Sequence, residues 1–165
     1  MGEYLLECSM VVPRPLVDVF AVYETPLNLA RITPPWLGFH IATKERVVMQ
    51  PGARIDYTIR WMGLPMRWRT VITAYEPPLR FVDEQERGPY VLWRHTHTFE
   101  ETAEGVIVGD AVQYRLPLGP LGDLTHALMV KHQLQEIFRY RQRAVAKIFD
   151  VPLIERVAPR TTVVG

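Results

Sequence analysis

Two histidines at alternate positions are the side chains best suited to do chemistry. His95 and His97 lie between Trp93 and Phe99 in the segment FVDEQERGPYVLWRHTHTF, which spans residues 81–99. Because alternate residues of a strand share a face, these four side chains point the same way. Buried imidazoles need hydrogen-bond partners, supplied either by the protein or by a ligand. The spacing therefore predicts a polar cluster on an apolar face, as in a binding pocket.

A carboxylate is predicted on the same face of a later strand. Asp110 shares the parity of the apolar residue Val106, so it should also point inward. A hairpin that sets Phe99 opposite Val106 would place His95 opposite Asp110. A carboxylate on one imidazole nitrogen fixes the tautomer and raises the basicity of the ring, which suits a general base or a polar ligand anchor.

Further polar residues are expected to reach this cluster. Asp83 and Gln85 share the parity of Phe81 on the preceding strand, and Arg141 lies on the apolar stripe of a C-terminal helix as a candidate counter-ion. The walls of the pocket would be aromatic, since pockets combine apolar walls with a few polar groups. The predicted wall residues are Tyr57, Trp61, Trp68, Trp93 and Tyr114.

Three interpretations of the His and Asp residues remain open. They form a satisfied internal network that fixes the sheet register, or they are the polar end of a ligand pocket. Alternatively they bind zinc or iron, because His-x-His on one strand plus a carboxylate can satisfy such an ion. Two histidines alone are a weak metal signal. We therefore expect no metal and no cofactor.

The bulk composition indicates an ordinary globular protein of one domain. The 165 residues are 48% hydrophobic and 22% charged, with a formal net charge of +1, so nucleic acid is not an expected partner. The N-terminal segment lacks the basic region of a signal peptide, and no apolar run reaches the ~18 residues of a membrane span. We expect a cytoplasmic protein without membrane insertion. The single cysteine, Cys8, excludes an intramolecular disulfide and is expected to fill core space.

The elements that position the cluster follow from periodicity and turn signals. A half-buried strand at residues 3–12 precedes two short helices ending before 34–35, and successive antiparallel strands fill 37–116, with turns such as 62–65. Six or seven strands are expected in one curved sheet. A long helix is expected at 120–149, its apolar stripe including Leu121, Leu124 and Leu128 and its two histidines, His126 and His132, solvated. Residues 151–165 are expected as a loose tail or an edge strand after a single domain at 1–150. The order predicts an α+β fold with one helix on a curved sheet.

This order and three segments resemble the SRPBCC superfamily, which is START-like and includes polyketide cyclases and dehydrases. The segments are FAVYETPLNLARITPPWLGFHI, the stretch from PGARIDYTIRW to RHTHTF, and GDAVQYRLPLGPLG. The resemblance covers about residues 3–148 and is strongest to small bacterial proteins, some of which are fused to sugar-nucleotide epimerase domains. It implies a helix-grip (START/Bet v-like) fold that holds an apolar molecule, and association with an epimerase-type protein.

The resulting functional prediction is the binding, without turnover, of a small, largely apolar molecule such as a lipid, a polyketide or an aromatic compound. The first alternative is a cyclase/dehydrase-type enzyme in which His95, oriented by Asp110, removes a proton while Arg141 or Tyr57 steadies the enolate oxygen. The second alternative is a protein-interaction module with Leu64 and Met66 in an exposed apolar patch.

Overall fold

The described part of the chain contains eight strands, a short N-terminal helix with two 3-10 turns, and a C-terminal helical segment. The computed structural model describes residues 2–43, 46–61 and 63–165, so Met62 of the predicted turn at 62–65 lies outside the described residues. The strands are β1 (Glu3–Val12), β2 (His40–Ile41), β3 (Arg54–Trp61), β4 (Leu64–Glu76), β5 (Arg80–Arg87), β6 (Leu92–Thr102), β7 (Gly105–Arg115) and β8 (Ile154–Val163). The helices are α1 (Leu16–Glu24), α2 (Pro120–Thr125) and α3 (Lys131–Ile148), with 3-10 turns at Pro26–Arg31 and Pro35–Leu37.

All the strands belong to one antiparallel sheet in the order β2-β3-β4-β5-β6-β7-β1-β8. The predicted α+β helix-grip arrangement is confirmed, with eight strands instead of six or seven. The two edge strands account for the difference, because β2 has only two residues and β8 comes from the C-terminal segment. No helix of the described ranges is both long and apolar enough to cross a membrane.

The register of β6 against β7 differs from the predicted one by two residues. His97 lies opposite Asp110, and Phe99 lies opposite Val108 rather than Val106. The reason is a tight turn in which Thr102 pairs with Gly105 and the Thr102 hydroxyl donates to the Gly105 carbonyl at 2.7 Å. A shift of two residues preserves the face of every side chain, so the inward orientation of Asp110 is unaffected.

The C-terminal helical segment is interrupted by a π-turn at His126–Val130, between α2 and α3. A π-turn holds more residues than an α-turn, so side chains before it are rotated relative to the stripe of α3. Leu121, Leu124 and Leu128 are consequently exposed, and the prediction that they belong to the buried stripe was wrong. The buried positions of α3 are Leu134, Phe138, Arg141, Gln142, Val145 and Ala146.

The rotation also buries His126, which was expected to be solvated. Its ring stacks on that of Tyr4 with centroids 3.5 Å apart, and its Nε2 lies 2.8 Å from the Tyr114 hydroxyl. Burial is the main cause of the lowered pKa of this imidazole. His126 thus anchors the π-turn to the sheet, whereas His132 is exposed.

Candidate functional site

A cavity of about 140 Å³ lies between the sheet and α3. Of the five predicted aromatic wall residues, Tyr57, Trp61, Trp68 and Trp93 line it, while Tyr114 does not. Tyr114 is fully buried behind this wall and contacts His126 instead. The remaining apolar lining includes Leu37, Phe39, Ile59, Tyr90, Leu134, Ile137 and Phe138. The wall therefore combines mostly aromatic side chains from the sheet with Leu134, Ile137 and Phe138 from α3.

Strand pairing brings the polar residues to one end of this cavity. On neighbouring strands, Asp83 of β5 lies opposite His95 of β6, and His97 lies opposite Asp110 of β7. The two imidazole rings lie one over the other, with centroids 3.7 Å apart and an interplanar angle of 33°. Both histidines and Asp83 line the cavity, and Asp110 lies behind them. Three adjacent strands therefore build one cluster, which we name the His–Asp cluster: Asp83, His95, His97 and Asp110.

Each carboxylate of the His–Asp cluster pairs closely with one imidazole. His95 Nε2 lies 2.7 Å from Asp110 Oδ1, and His97 Nε2 lies 2.7 Å from Asp83 Oδ2. The second nitrogens are farther away, with His95 Nδ1 3.7 Å from Asp83 Oδ2 and His97 Nδ1 3.5 Å from Asp110 Oδ1. Each imidazole therefore bridges the two carboxylates, with its Nε2 at hydrogen-bond distance and its Nδ1 beyond or at the limit of it.

The charge states of three members follow from this geometry. Burial alone would raise the pKa of Asp83 and Asp110, but the hydrogen bonds from the imidazoles and the nearby Arg141 outweigh it and hold both pKa values below the ordinary range. Burial and the neighbouring His95 lower the pKa of His97 to about 4. At neutral pH both carboxylates are therefore ionised and His97 is neutral. An ionised Asp83 only accepts, so His97 Nε2 carries the proton and its Nδ1 carries a lone pair.

Arg141 projects from α3 toward the same cluster. Its Nη1 lies 3.8 Å from Asp110 Oδ1, and its guanidinium carbon lies 5.5 Å from the Phe138 ring centroid and 6.0 Å from that of Tyr23. The Nε atom is buried and has no hydrogen-bond partner in the described part of the chain. Arg141 is thus placed as the predicted counter-ion, with donor capacity left over at the cavity.

Cys8 lies beneath the cluster, on β1. The thiol is buried, and its sulfur is 3.9 Å from Asp110 Oδ2. Burial and the Asp110 charge raise the pKa of this thiol far above its usual range, so it is protonated and not nucleophilic. Cys8 is a core residue, as its strand pattern predicted.

Gln85 does not join the cluster, although its parity indicated that it would. Its side-chain amide binds both backbone groups of Tyr90, donating to the carbonyl at 2.7 Å and accepting from the N–H at 3.1 Å. Gln85 therefore closes the loop between β5 and β6. The loop contains Gly88 and Pro89, but nothing in the sequence showed that a side chain would bind across it.

A second set of polar groups lies along β3 and β4. Trp68 Nε1 donates to Thr70 Oγ1 at 3.1 Å, and the Tyr57 hydroxyl lies 3.3 Å from the same oxygen. The buried Trp61 indole N–H faces the Tyr90 hydroxyl and interacts with it. Sequence reasoning did not select Thr70 or Tyr90 as cavity residues. The alternation that placed Trp68 inward gave the signal for Thr70, which shares its parity.

No protein-family model matches the chain, and no curated protein matches it. Among solved structures it is similar to the protein TTHA0849 from Thermus thermophilus, with 21% identity, a TM-score of 0.65 and coverage of 88% of this chain and 96% of that one. A protein from Arthrobacter aurescens matches with 16% identity, a TM-score of 0.64 and coverage of 90% and 87%. Ara h 8.0201, a Bet v 1 allergen, matches with 18% identity, a TM-score of 0.58 and coverage of 88% and 99%. At these identities the likeness shows the fold alone, and that fold is of the Bet v 1/START-like type.

Proposed function

We propose that this chain binds a small, largely apolar molecule with one oxygenated end in the cavity between the sheet and α3. The observation that carries the proposal is the cavity itself, which has aromatic and aliphatic walls and places Asp83, His95, His97 and Arg141 at one polar end. Pockets for small molecules typically combine apolar walls with a few placed polar groups. The helix-grip fold, in which a sheet and a helix enclose such a space, supports the same proposal.

The volume limits the size of the ligand. An apolar cavity of roughly 150 Å³ holds a molecule of the size of benzene, and the cavity here measures about 140 Å³. We therefore propose a ligand whose enclosed part is about one ring in size. A longer molecule would extend through the mouth of the cavity, where the half-exposed residues Pro26, Leu29 and Gln133 lie.

An unpartnered polar atom indicates what the oxygenated end would meet. Arg141 Nε is a buried N–H donor that finds no acceptor among the described residues. A buried donor without a partner costs about 1–3 kcal/mol, so a ligand oxygen that accepts from it would be stabilised. A hydroxyl, keto or carboxyl oxygen on an otherwise apolar body has the required chemistry.

Organic extraction and native mass spectrometry test this proposal. Protein purified without detergent is compared with Ile137→Trp, which fills the cavity from the helix side, and with Leu128→Trp, an exposed change on the same helical segment. We expect a compound in equal amount to the protein in the wild type and in Leu128→Trp, and its loss from Ile137→Trp. Equal amounts of the compound in all three proteins would show that it does not occupy the cavity.

A cyclase/dehydrase-type enzyme is the second candidate, favoured by one observation. His95 Nε2 is held by Asp110 at 2.7 Å, while its Nδ1 belongs to a ring that lines the cavity. A carboxylate that orients an imidazole in this way leaves the other nitrogen to accept a proton from a bound substrate. Arg141 would steady the resulting enolate oxygen. Tyr57 would be the weaker choice, because its hydroxyl lies beside Thr70.

The two candidates differ in what His95→Gln would change. If the chain is an enzyme acting on a carbonyl compound, the variant should lose turnover while retaining substrate binding, as calorimetry would measure. If the chain only binds, the same variant should weaken binding itself. The interaction-module alternative has less support, because Leu64 is exposed but Met66 packs against the core. Association with an epimerase-type protein stays a prediction.

A further inference from the structure

We propose that Asp83, His95 and His97 bind a divalent transition-metal ion, with Zn²⁺ as the best fit, at the polar end of the cavity. One donor atom from each of the three residues lies within 4.8 Å of the others. Two imidazoles and one carboxylate are a ligand set that zinc accepts in sites where a further position stays open. The sequence alone predicted no metal, whereas the three side chains converge as metal ligands do.

The donor separations are those of atoms that share a metal ion. Asp83 Oδ2 lies 2.7 Å from His97 Nε2 and 3.7 Å from His95 Nδ1. Ligands about 2.1 Å from a tetrahedral zinc lie about 3.4 Å apart. The two separations bracket that value, and the three residues offer donor atoms within 4.8 Å of one another, so an ion could be shared after small side-chain movements.

Asp110 supports both histidines from behind. It accepts from His95 Nε2 at 2.7 Å and lies 3.5 Å from His97 Nδ1, so one carboxylate oxygen faces the far nitrogen of each ring. Histidines that bind metals commonly donate their other N–H to a carboxylate, which fixes the ring and raises its basicity. With Nε2 held by Asp110, Nδ1 is the His95 nitrogen that lies toward Asp83 and would bind the ion.

His97 shows an unsatisfied atom that the metal would explain. Its Nδ1 is buried and has no hydrogen-bond partner in the described residues, and the residue as a whole is only 3% exposed. When the metal takes the Nε2 lone pair, the proton moves to Nδ1, where Asp110 can accept it. The ion thus takes the place of the proton on His97 Nε2. With the ion bound, each nitrogen of the two rings has either the metal or a carboxylate as its partner.

The open coordination position would face the apolar cavity. Asp83, His95 and His97 all line it, whereas Asp110 and Cys8 lie behind the rings. A ligand oxygen could then bind the ion directly. This role in ligand binding rests on the proposed function, but metal binding itself does not.

Co²⁺ titration of chelator-treated, untagged protein tests the site. We expect one Co²⁺ per chain, with the strong visible absorption of a tetrahedral ion, and displacement by Zn²⁺. Asp83→Asn and His97→Gln should weaken binding more than tenfold, and Asp110→Asn by about 10- to 100-fold. His132→Gln, which removes an exposed histidine outside the cluster, should bind as the wild type does.

Two results would contradict the proposed metal site. The first is wild-type protein that shows no stoichiometric Co²⁺ absorption at micromolar metal, which would mean that the His–Asp cluster is a closed internal network. The second is a signal that His132→Gln removes and Asp83→Asn retains. Circular dichroism of each variant shows whether it is folded, and the wild-type spectrum alone decides the question if the variants are not.

The same samples separate this inference from the proposed function. Calorimetric titration of chelator-treated protein with phenol, p-cresol and 2-naphthol measures cavity binding without metal. Binding of one of these compounds without Co²⁺ binding would reject the metal site and keep the proposed function. Co²⁺ binding with no binding of any of the three would keep the metal site and reject the proposed function.

Discussion

His95 Nε2 lies 2.7 Å from Asp110 Oδ1, although the two residues are not opposite each other in the sheet. Asp110 is opposite His97, and His95 is opposite Val112, so the hydrogen bond runs diagonally from β6 to β7. The diagonal contact leaves His97 free to turn its Nε2 toward Asp83 on the other side. Asp110 on β7 thereby holds His95, and Asp83 on β5 holds His97.

Asp110→Asn should destabilise the protein by about 3 kcal/mol, because it removes the charge that pairs with buried Arg141 and weakens the bond from His95. The measurement is the free energy of unfolding from chemical denaturation at pH 7. Glu100→Gln, an exposed change on β6, should stay within about 0.5 kcal/mol of the wild type. An Asp110→Asn variant as stable as the wild type would show that the diagonal contact contributes nothing.

Stability should fall as the pH drops from about 6.5 to about 4. The pKa of His97 is lowered from 6.5 to about 4 in the folded state, so within this window the unfolded chain binds a proton that the folded chain does not. Full passage through the window corresponds to about 3 kcal/mol. His126 acts in the same direction because its pKa is also lowered. Asp83 and Asp110, with lowered pKa values, lose their contributions only below the ordinary value of 3.8.

The variant His97→Gln isolates this effect, since glutamine does not titrate. Unfolding free energies measured between pH 7 and pH 4 should show a shallower slope than the wild type, with a remainder due to His126. His132→Gln should retain the full slope. Parallel curves for wild type and His97→Gln would mean that His97 does not cause the acid sensitivity.

Tyr114→Phe should cost about 1 kcal/mol of stability and leave ligand binding unchanged. The hydroxyl bonds with His126 at 2.8 Å, but the residue does not line the cavity. Thermal unfolding and calorimetric titration of the same sample measure the two effects. A variant that binds more weakly at unchanged stability would return Tyr114 to the ligand-binding set, where sequence parity had placed it.

Local periodicity was sufficient to predict which side chains share a face. The two-residue period of β6 and β7 placed His95, His97 and Asp110 inward, because this alternation survives a register shift of two residues. The register itself was not predictable, since it depends on how Thr102 and Gly105 close the turn. The α+β fold with one helix on a curved sheet followed from element order, which needs no register, and the helix-grip type followed from the family resemblance.

Side-chain environments set by irregular backbone could not be predicted. Leu121, Leu124 and Leu128 fit the helical stripe as a pattern, and the π-turn at His126–Val130 turned them outward and buried His126. A π-turn has no clear signature in a single sequence. Parity placed Tyr114 on the inner face correctly, but an inner face includes positions packed behind the cavity wall as well as positions that line it.

The most direct test of the central claim is calorimetric titration of phenol, p-cresol and 2-naphthol into the wild type, Ile137→Trp and Leu128→Trp. These molecules have an apolar ring system and one hydroxyl group. Binding of one molecule per chain to the wild type and to Leu128→Trp, weakened at least tenfold in a folded Ile137→Trp, is the predicted result. Equal affinity of Ile137→Trp and the wild type, or no binding to the wild type by any of the three, would contradict the claim that the cavity between the sheet and α3 is a ligand site.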